Sequence, residues 1–93
     1  MKKAYLMIYN DELGTRDQVK EVLDFHPVVT WRYDTPNSFY LISEGSAREV
    51  SDYIRSKLPQ GRFVVTEIAG NYWGYSTADT WYLIKNKDHN IAK

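Results

Sequence analysis

The sequence of 93 residues contains no cysteine, and this absence excludes disulfide bonds and thiolate zinc sites. Histidine occurs only at His26 and His89. A lone histidine before a proline is more typical of a helix end than of a general base. Basic and acidic residues balance at twelve each. This neutrality argues against strong binding to duplex nucleic acid, which depends on a basic excess.

Long hydrophobic runs are also missing, and no segment reaches the length of a membrane span. The first three residues resemble the start of a signal peptide, but the apolar run at 4–9 is too short and is followed by Asp11 and Glu12. We therefore expect a cytoplasmic protein with no membrane partner. Internal repeats and low-complexity linkers are absent as well, which leaves one small domain.

What the sequence has in abundance is aromatic side chains: eight Tyr, three Trp and three Phe. Each ring buries a large apolar area, so few side chains suffice for the core of a small domain. Two capping boxes, which pair Thr15 with Gln18 and Ser46 with Glu49, predict where two helices begin. Apolar periodicity and turn residues define the remaining elements. The predicted strands are 4–9, 28–33, 38–43 and 62–68, and the predicted helices are 16–25 and 47–58.

The order of these elements predicts an α+β domain of the ferredoxin-like kind, which is a βαββαβ two-layer sandwich. The predicted division is 1–68 for this core, 69–86 for a C-terminal extension and 87–93 for a flexible tail. We expect Trp73, Tyr75 and Trp81 of the extension to pack on the core or on a dimer partner. Within the extension, periodicity leaves a short helix and a fifth strand open as alternatives.

A sandwich of this kind has two helices on one face of its sheet, and the other face is open or covered by something else. In strand one, alternate residues point to opposite faces, which separates Leu6 and Ile8 from the other side chains. We place this aliphatic pair under the helices. The open face then carries the remaining side chains of strand one and one set from strands two and three: Tyr5, Met7, Tyr9, Thr30, Arg32, Tyr40 and Ile42.

Such a face is too apolar and too aromatic to be left in water. Three coverings are compatible with the sequence: the chain's own C-terminal extension, a second copy in a homodimer, or a ligand with flat rings. In the third case, nucleotide bases would stack on the candidate binding residues Tyr5, Tyr9 and Tyr40 beside Arg32. The segment 38–43 lacks the glycines and the basic start of an RNA-recognition motif.

Acidic side chains in the loops are the remaining chemical candidates. Asp11 and Glu12 follow the first strand, and carboxylates at a strand end can hold Mg²⁺ for phosphodiester hydrolysis. The alternative is a solvated pair ahead of a helix, where the helix dipole favours negative charge. We favour the solvated pair and assign no catalytic residue, metal or cofactor; Asp11 with Mg²⁺ is kept for a nuclease alternative. Asp34, in the turn after strand two, is expected to hydrogen-bond to nearby backbone.

This plan resembles a family of small bacterial and phage proteins described as SinR-like, which look related to the small CRISPR-associated adaptation nuclease. The matching pieces are a strand before an acidic loop, an aromatic strand two, the second helix, strand four and an aromatic C-terminal segment. The most specific piece is Gly74-Tyr75-Ser76 followed by Asp79-Thr80-Trp81. The other matching segments are 5–9, 30–33, 46–58 and 62–70.

The resemblance implies a ferredoxin-like homodimer in which the C-terminal segments cross over or pack on the partner. In the nuclease relatives, an acidic residue directly after the first strand is the implied metal ligand. Here Asn10 stands in that position and Asp11 follows it, and a shift of one residue points a side chain the other way. We therefore predict a non-enzymatic dimeric binding or interaction module, with a phage- or defence-related role and a protein or nucleotide partner. The alternatives are a weak Mg²⁺-dependent nuclease and a nucleotide-binding protein with a tyrosine-rich sheet face.

Overall fold

The computed structural model describes residues 1–90, which form four strands, three α-helices and one 3-10 turn. The elements are β1 (Lys3–Tyr9), a 3-10 turn (Asp11–Leu13), α1 (Arg16–Leu23), β2 (Val28–Tyr33), β3 (Ser38–Ser43), α2 (Ala47–Lys57), β4 (Phe63–Glu67) and α3 (Ala78–Asn86). The six elements predicted before residue 69 are all present, with ends shifted by at most two residues. Of the tail predicted at 87–93, residues 91–93 lie outside the described part.

Both helices of the predicted core begin at their capping boxes. The hydroxyl of Thr15 accepts from the backbone N–H of Gln18 at 3.2 Å, and the Gln18 side chain accepts from the Thr15 N–H at 2.8 Å. Ser46 and Glu49 form the same reciprocal pair at the start of α2. Each box satisfies N–H groups that have no partner within the helix, and a capping side chain is worth about 1 kcal/mol.

The four strands form one antiparallel sheet in the order β2-β3-β1-β4. β1 has partners along both sides: Leu6 lies opposite Tyr40 of β3 and opposite Thr66 of β4. β2 and β4 form the two edges, and the pairing of β2 with β3 is irregular between Val28 and Thr30. The chain is therefore a small α+β domain, and none of the helices that the structure describes is long and apolar enough to cross a membrane.

The face of the sheet under α1 and α2, here called the helix face, carries the larger core. Phe39 is fully buried there, and the ring centroids of Tyr9, Trp31 and Tyr33 lie 6.0, 5.4 and 5.6 Å from its own. Full burial of a large apolar side chain contributes about 1.5–3 kcal/mol. The aliphatic residues of this core include Leu41 from the sheet, Val19 and Leu23 from α1, and Val50 and Ile54 from α2.

The prediction for the two faces of β1 is wrong. Its side chains in the helix-face core are Tyr5, Met7 and Tyr9. Leu6 and Ile8 therefore point to the other face. A tyrosine suits the margin of a helix layer because its ring packs while its hydroxyl reaches a polar group. The hydroxyl of Tyr5 donates to the carbonyl of Gly45 at 2.6 Å, just before α2 begins.

The opposite face, here called the α3 face, is covered in part by the chain's own C-terminal extension. The extension forms a helix and not a fifth strand. Leu83 and Ile84 of α3 pack against Ile42 of β3, and all three are buried. Ile8 and Val64, which are register partners in β1 and β4, remain 50% and 56% exposed. The helix thus leaves the β1–β4 side of this face accessible.

Candidate functional site

A polar network attaches the start of α3 to the end of β2. Thr80 is fully buried; its hydroxyl donates to Oδ2 of Asp34 at 2.8 Å and accepts from Nε of Arg32 at 2.8 Å. Nη2 of Arg32 also donates to the hydroxyl of Thr77 at 3.1 Å, and Thr77 caps α3. The Ser76 hydroxyl donates to the same Asp34 oxygen. Two charged groups at the end of β2 and in the turn after it therefore hold the start of α3 against the sheet.

The carboxylate of Asp34 is stabilised in its ionised form by this network. Hydrogen bonds from Ser76 and then Thr80 lower its pKa; burial opposes the shift, and the nearby Arg32 guanidinium supports it. The expectation that Asp34 bonds to nearby backbone is wrong, because its side chain faces the extension. Arg32, predicted as part of a ligand surface, contributes to the same attachment. The sequence carried no signal for these long-range partners.

A segment of exposed aromatic residues connects β4 to α3. We call residues 70–75 the aromatic segment, and every residue from 69 to 79 is exposed. The side chains of Trp73 and Tyr75 are 92% and 101% exposed. Tyr72, in contrast, stacks on Trp81 of α3, with ring centroids 6.1 Å apart and planes 18° apart. Of the three residues predicted to pack, Trp81 lies against the core, and the other two face solvent.

A groove with aromatic walls lies between the aromatic segment and α3. Its volume is about 460 Å³. Gly74 lies beside α3: a Cβ atom at this position would make an ordinary van der Waals contact with the ring of Trp81, at 3.7 Å. The groove offers flat apolar surfaces and one cation, from Lys85. The lining residues are Gly70, Tyr72, Trp73, Gly74, Trp81 and Lys85.

A polar cavity of about 440 Å³ opens where β1 ends, and it includes Asp11. Oδ1 of Asp11 accepts from Nδ2 of Asn37 at 2.9 Å. The guanidinium carbon of Arg16 lies 4.7 Å from the centre of the Tyr33 ring. Within residues 1–90, no group of three or more His, Cys, Asp or Glu side chains is placed to hold a metal ion. The lining residues are Tyr9, Asp11, Gly14, Thr15, Arg16, Asp17, Tyr33 and Asn37.

The four predicted binding residues do not share one surface. Tyr5 and Tyr9 lie on the helix face, whereas Arg32 and Tyr40 lie on the α3 face. Tyr40 is partly buried beside α3; burial raises the pKa of its phenol, and the nearby Asp34 charge adds to the shift. A continuous tyrosine platform for bases is therefore not formed. Of the three coverings considered, the chain's own extension lies on the α3 face.

The two histidines line neither the groove nor the polar cavity. His26 is exposed after α1. Nε2 of His89 lies 2.6 Å from the hydroxyl oxygen of Thr30 on β2, so the start of the predicted tail contacts the sheet. The polar cavity itself was missed by sequence reasoning, because its walls come from separate segments that only the β1–β3 pairing brings together.

Comparison of the chain with protein-family models, with curated proteins and with solved structures found no match. The aromatic groove and the polar cavity, two of the concave surfaces formed by the described residues, differ in the chemistry that they offer. The aromatic groove offers stacking and apolar contact. The polar cavity offers hydrogen bonds and charges of both signs.

Proposed function

We propose that this protein is a non-enzymatic interaction module that acts as a homodimer, with the aromatic segment as the contact between two copies. The observation that carries the proposal is the exposure of Trp73 and Tyr75, in a chain whose other two tryptophans are partly buried. Large exposed apolar patches on a folded domain mark interaction sites. Trp and Tyr are also the residues that contribute most to binding energy at protein interfaces.

The aromatic segment offers both a projecting ring and a groove, the two features that a two-fold contact would pair. Trp73 projects into solvent beside a groove whose other walls include Tyr72 and Trp81. In an isologous interface the same patch meets itself, so Trp73 of each copy would enter the groove of the other. Lys85 at the wall is suited to a cation–π contact with the incoming indole.

The ferredoxin-like fold and the SinR-like resemblance are part of the same proposal. The sheet order β2-β3-β1-β4, with α1 and α2 packed on one face, supports a ferredoxin-like arrangement. A ferredoxin-like homodimer is what the SinR-like resemblance implies. A phage- or defence-related role is proposed from that resemblance, and a cytoplasmic location is proposed from the composition of the sequence.

Light scattering after size exclusion tests the homodimer, over a range of protein concentrations. We expect wild-type protein at twice the chain mass of 10.9 kDa. The double variant Trp73→Ala/Tyr75→Ala should have the mass of one chain. The matched control is Phe25→Ala, which removes an exposed ring from the end of α1 and should leave the dimer intact. A wild-type monomer at every concentration would contradict the homodimer, and a dimeric double variant would place the contact elsewhere.

The nuclease alternative depends on Asp11, whose carboxylate lines the polar cavity. If purified protein cleaves nucleic acid in the presence of Mg²⁺, Asp11→Asn should abolish the cleavage. Asp17→Asn, in the same cavity, is the matched control for a change of charge alone. Cleavage that survives Asp11→Asn would exclude an Asp11 metal site.

A further inference from the structure

The polar cavity contains a hydroxyl group that the chain itself leaves without a partner. Tyr9 is only 9% exposed, and its ring stacks on Phe39 on the helix face. Its side chain lines the cavity, and within residues 1–90 its hydroxyl makes no hydrogen bond and its oxygen stays accessible to solvent. Buried polar side chains are nearly always hydrogen-bonded. A hydroxyl placed in this way is therefore available to a molecule from outside the chain.

Tyr5 provides an internal comparison for Tyr9. Both tyrosines belong to β1, point to the helix face and lie near the start of a helix. The Tyr5 hydroxyl is satisfied by the carbonyl of Gly45 at 2.6 Å. At the start of α1, Gly14 and Thr15 line the same cavity as Tyr9, and among residues 1–90 the Tyr9 hydroxyl forms no corresponding hydrogen bond. The two ends of β1 therefore differ: the Tyr5 hydroxyl has a hydrogen-bond partner within the described residues, and the Tyr9 hydroxyl has none.

Other donors converge on the space in front of Tyr9. The Arg16 guanidinium lies over the Tyr33 ring at 4.7 Å and, among the described residues, forms no ion pair. The first N–H groups of α1, at Arg16 and Asp17, have no acceptor within the helix and carry partial positive charge. Burial raises the pKa of the Tyr9 phenol; Tyr33 and Asp11 also raise it, and Arg16 opposes them. Tyr9 is thus a protonated donor at neutral pH.

The same cavity also contains hydrogen-bond acceptors, which call for a donor group on the ligand. Asp11 uses Oδ1 for the side chain of Asn37, and Oδ2 makes no hydrogen bond within residues 1–90. Asp17 adds a further carboxylate to the wall. These carboxylates oppose the binding of any anion, so a ligand needs a compensating contact with one of them. A molecule with a hydroxyl beside its anionic group would donate to Asp11.

We propose that the polar cavity binds a small hydroxylated anion. Its phosphate or carboxylate group would lie between Arg16, the Tyr9 hydroxyl and the start of α1, and its neighbouring hydroxyl would donate to Asp11. The cavity volume of about 440 Å³ suits a small polar metabolite. This site is separate from the aromatic segment, so it adds a ligand to the interaction module proposed above.

Titrations followed by amide NMR test the site with two probes, glycerol 3-phosphate and glycerate. We expect shifts confined to residues 11–17 and the neighbourhood of Tyr33, with the tighter probe identifying the anionic group. Inorganic phosphate and glycerol, each carrying half of the chemistry, should bind more weakly. The variant Trp73→Ala/Tyr75→Ala should bind both probes as wild type does, so the result does not depend on the proposed dimer.

Three variants locate the binding. Arg16→Met should weaken it at least tenfold, and Tyr9→Phe about tenfold, because each removes a donor to a charged group. Arg48→Met is the matched control: Arg48 also lies in the first turn of a helix with a capping box, but it pairs with Asp52 at 3.8 Å. Since Arg16 is exposed, its replacement keeps the test valid even if Tyr9→Phe perturbs the core.

Several results would overturn the proposal. The absence of shifts with both probes would mean that water alone satisfies Tyr9. Shifts of equal size at the start of α2 would indicate general attraction of anions to helix ends. Binding that survives both Arg16→Met and Tyr9→Phe would exclude the assigned donors, and equal affinity for phosphate alone would exclude the role of Asp11.

Discussion

The two faces of the sheet are covered in different ways. On the helix face, two helices enclose a continuous core around the fully buried Phe39. On the α3 face, one helix of nine residues buries a smaller cluster around Ile42 and Leu83, and Ile8 and Val64 stay exposed. Apolar packing holds α1 and α2 on the helix face, whereas α3 is held on its face by hydrogen bonds as well as by apolar contacts. We infer that the helix face stabilises the fold and that the α3 face can open locally.

The largest expected effect comes from the centre of the helix face. Phe39→Ala removes the ring that three other aromatic residues contact, and a buried Phe→Ala change costs about 3–5 kcal/mol. Small domains have a total stability of about 5–15 kcal/mol, so this variant should approach global unfolding. Leu83→Ala on α3 should instead detach the helix while the sheet stays folded. Urea unfolding followed by circular dichroism measures both. Equal loss of global stability in the two variants would contradict the difference between the faces.

The second-largest effect is expected at the buried hydroxyl of Thr80, which connects Asp34 and Arg32. Thr80→Val keeps the shape of the side chain but leaves both partners with one hydrogen bond fewer, which costs about 1–3 kcal/mol. Hydrogen exchange should become faster in α3 while the amides of β1 and β3 stay protected. Thr66→Val, on the exposed edge strand β4, is the matched control and should change neither. Unchanged protection of α3 in Thr80→Val would show that apolar contacts alone hold the helix.

A pH dependence follows from the lowered pKa of Asp34. Because the folded-state pKa lies below the unfolded value of about 3.9, the contribution of this group is fully present above that value. It is lost as the pH falls through the folded-state pKa. Asp34→Asn should therefore reduce the stability of α3 at pH 5–7, as judged by hydrogen exchange, and the difference from wild type should shrink below about pH 4. A difference that stays constant down to pH 3 would contradict the assignment.

The smallest effect on stability is expected where exposure is greatest. Trp73→Ala/Tyr75→Ala removes side chains that contact almost nothing within one chain, and surface changes of this kind stay within about 0.5 kcal/mol. The urea midpoint of the isolated monomer, measured at high dilution, should therefore match that of wild type. A clear loss of monomer stability would mean that these rings pack on their own chain, which would contradict an interface role.

Local signals in the sequence were sufficient for the order and the bounds of the elements. Capping boxes at Thr15 and Ser46 determine where the helices start, and apolar, β-branched and aromatic runs between turn residues indicate the strands. These features act over a few neighbours, so they can be read without knowing the fold. The helix at 78–86 is the exception. Its short apolar run fits the period of a helix and the period of a strand equally well. Only the buried contacts of Leu83 and Ile84 select the helix.

The orientation of β1 could not be read in the same way. A central strand is apolar on both sides, so alternation gives two sets of side chains without saying which set lies under which layer. Aliphatic residues were assigned to the helix face, yet Tyr5 fits there because Gly45 provides an acceptor at the edge of the layer. The polar cavity was hidden for a related reason: Tyr33 is brought to the Tyr9 end of β1 by the pairing of β2 with β3 and of β3 with β1.

The three tryptophans occupy three different surroundings, which equips the molecule with intrinsic optical probes. Trp31 contacts Phe39 edge-on, and its indole N–H donates to Asp24 at 2.8 Å. Trp81 stacks on Tyr72, and Trp73 faces water. The emission of each indole therefore reports a separate event: melting of the core, detachment of α3, and shielding of the aromatic segment. Variants that retain a single tryptophan would resolve these events by fluorescence, without any attached dye.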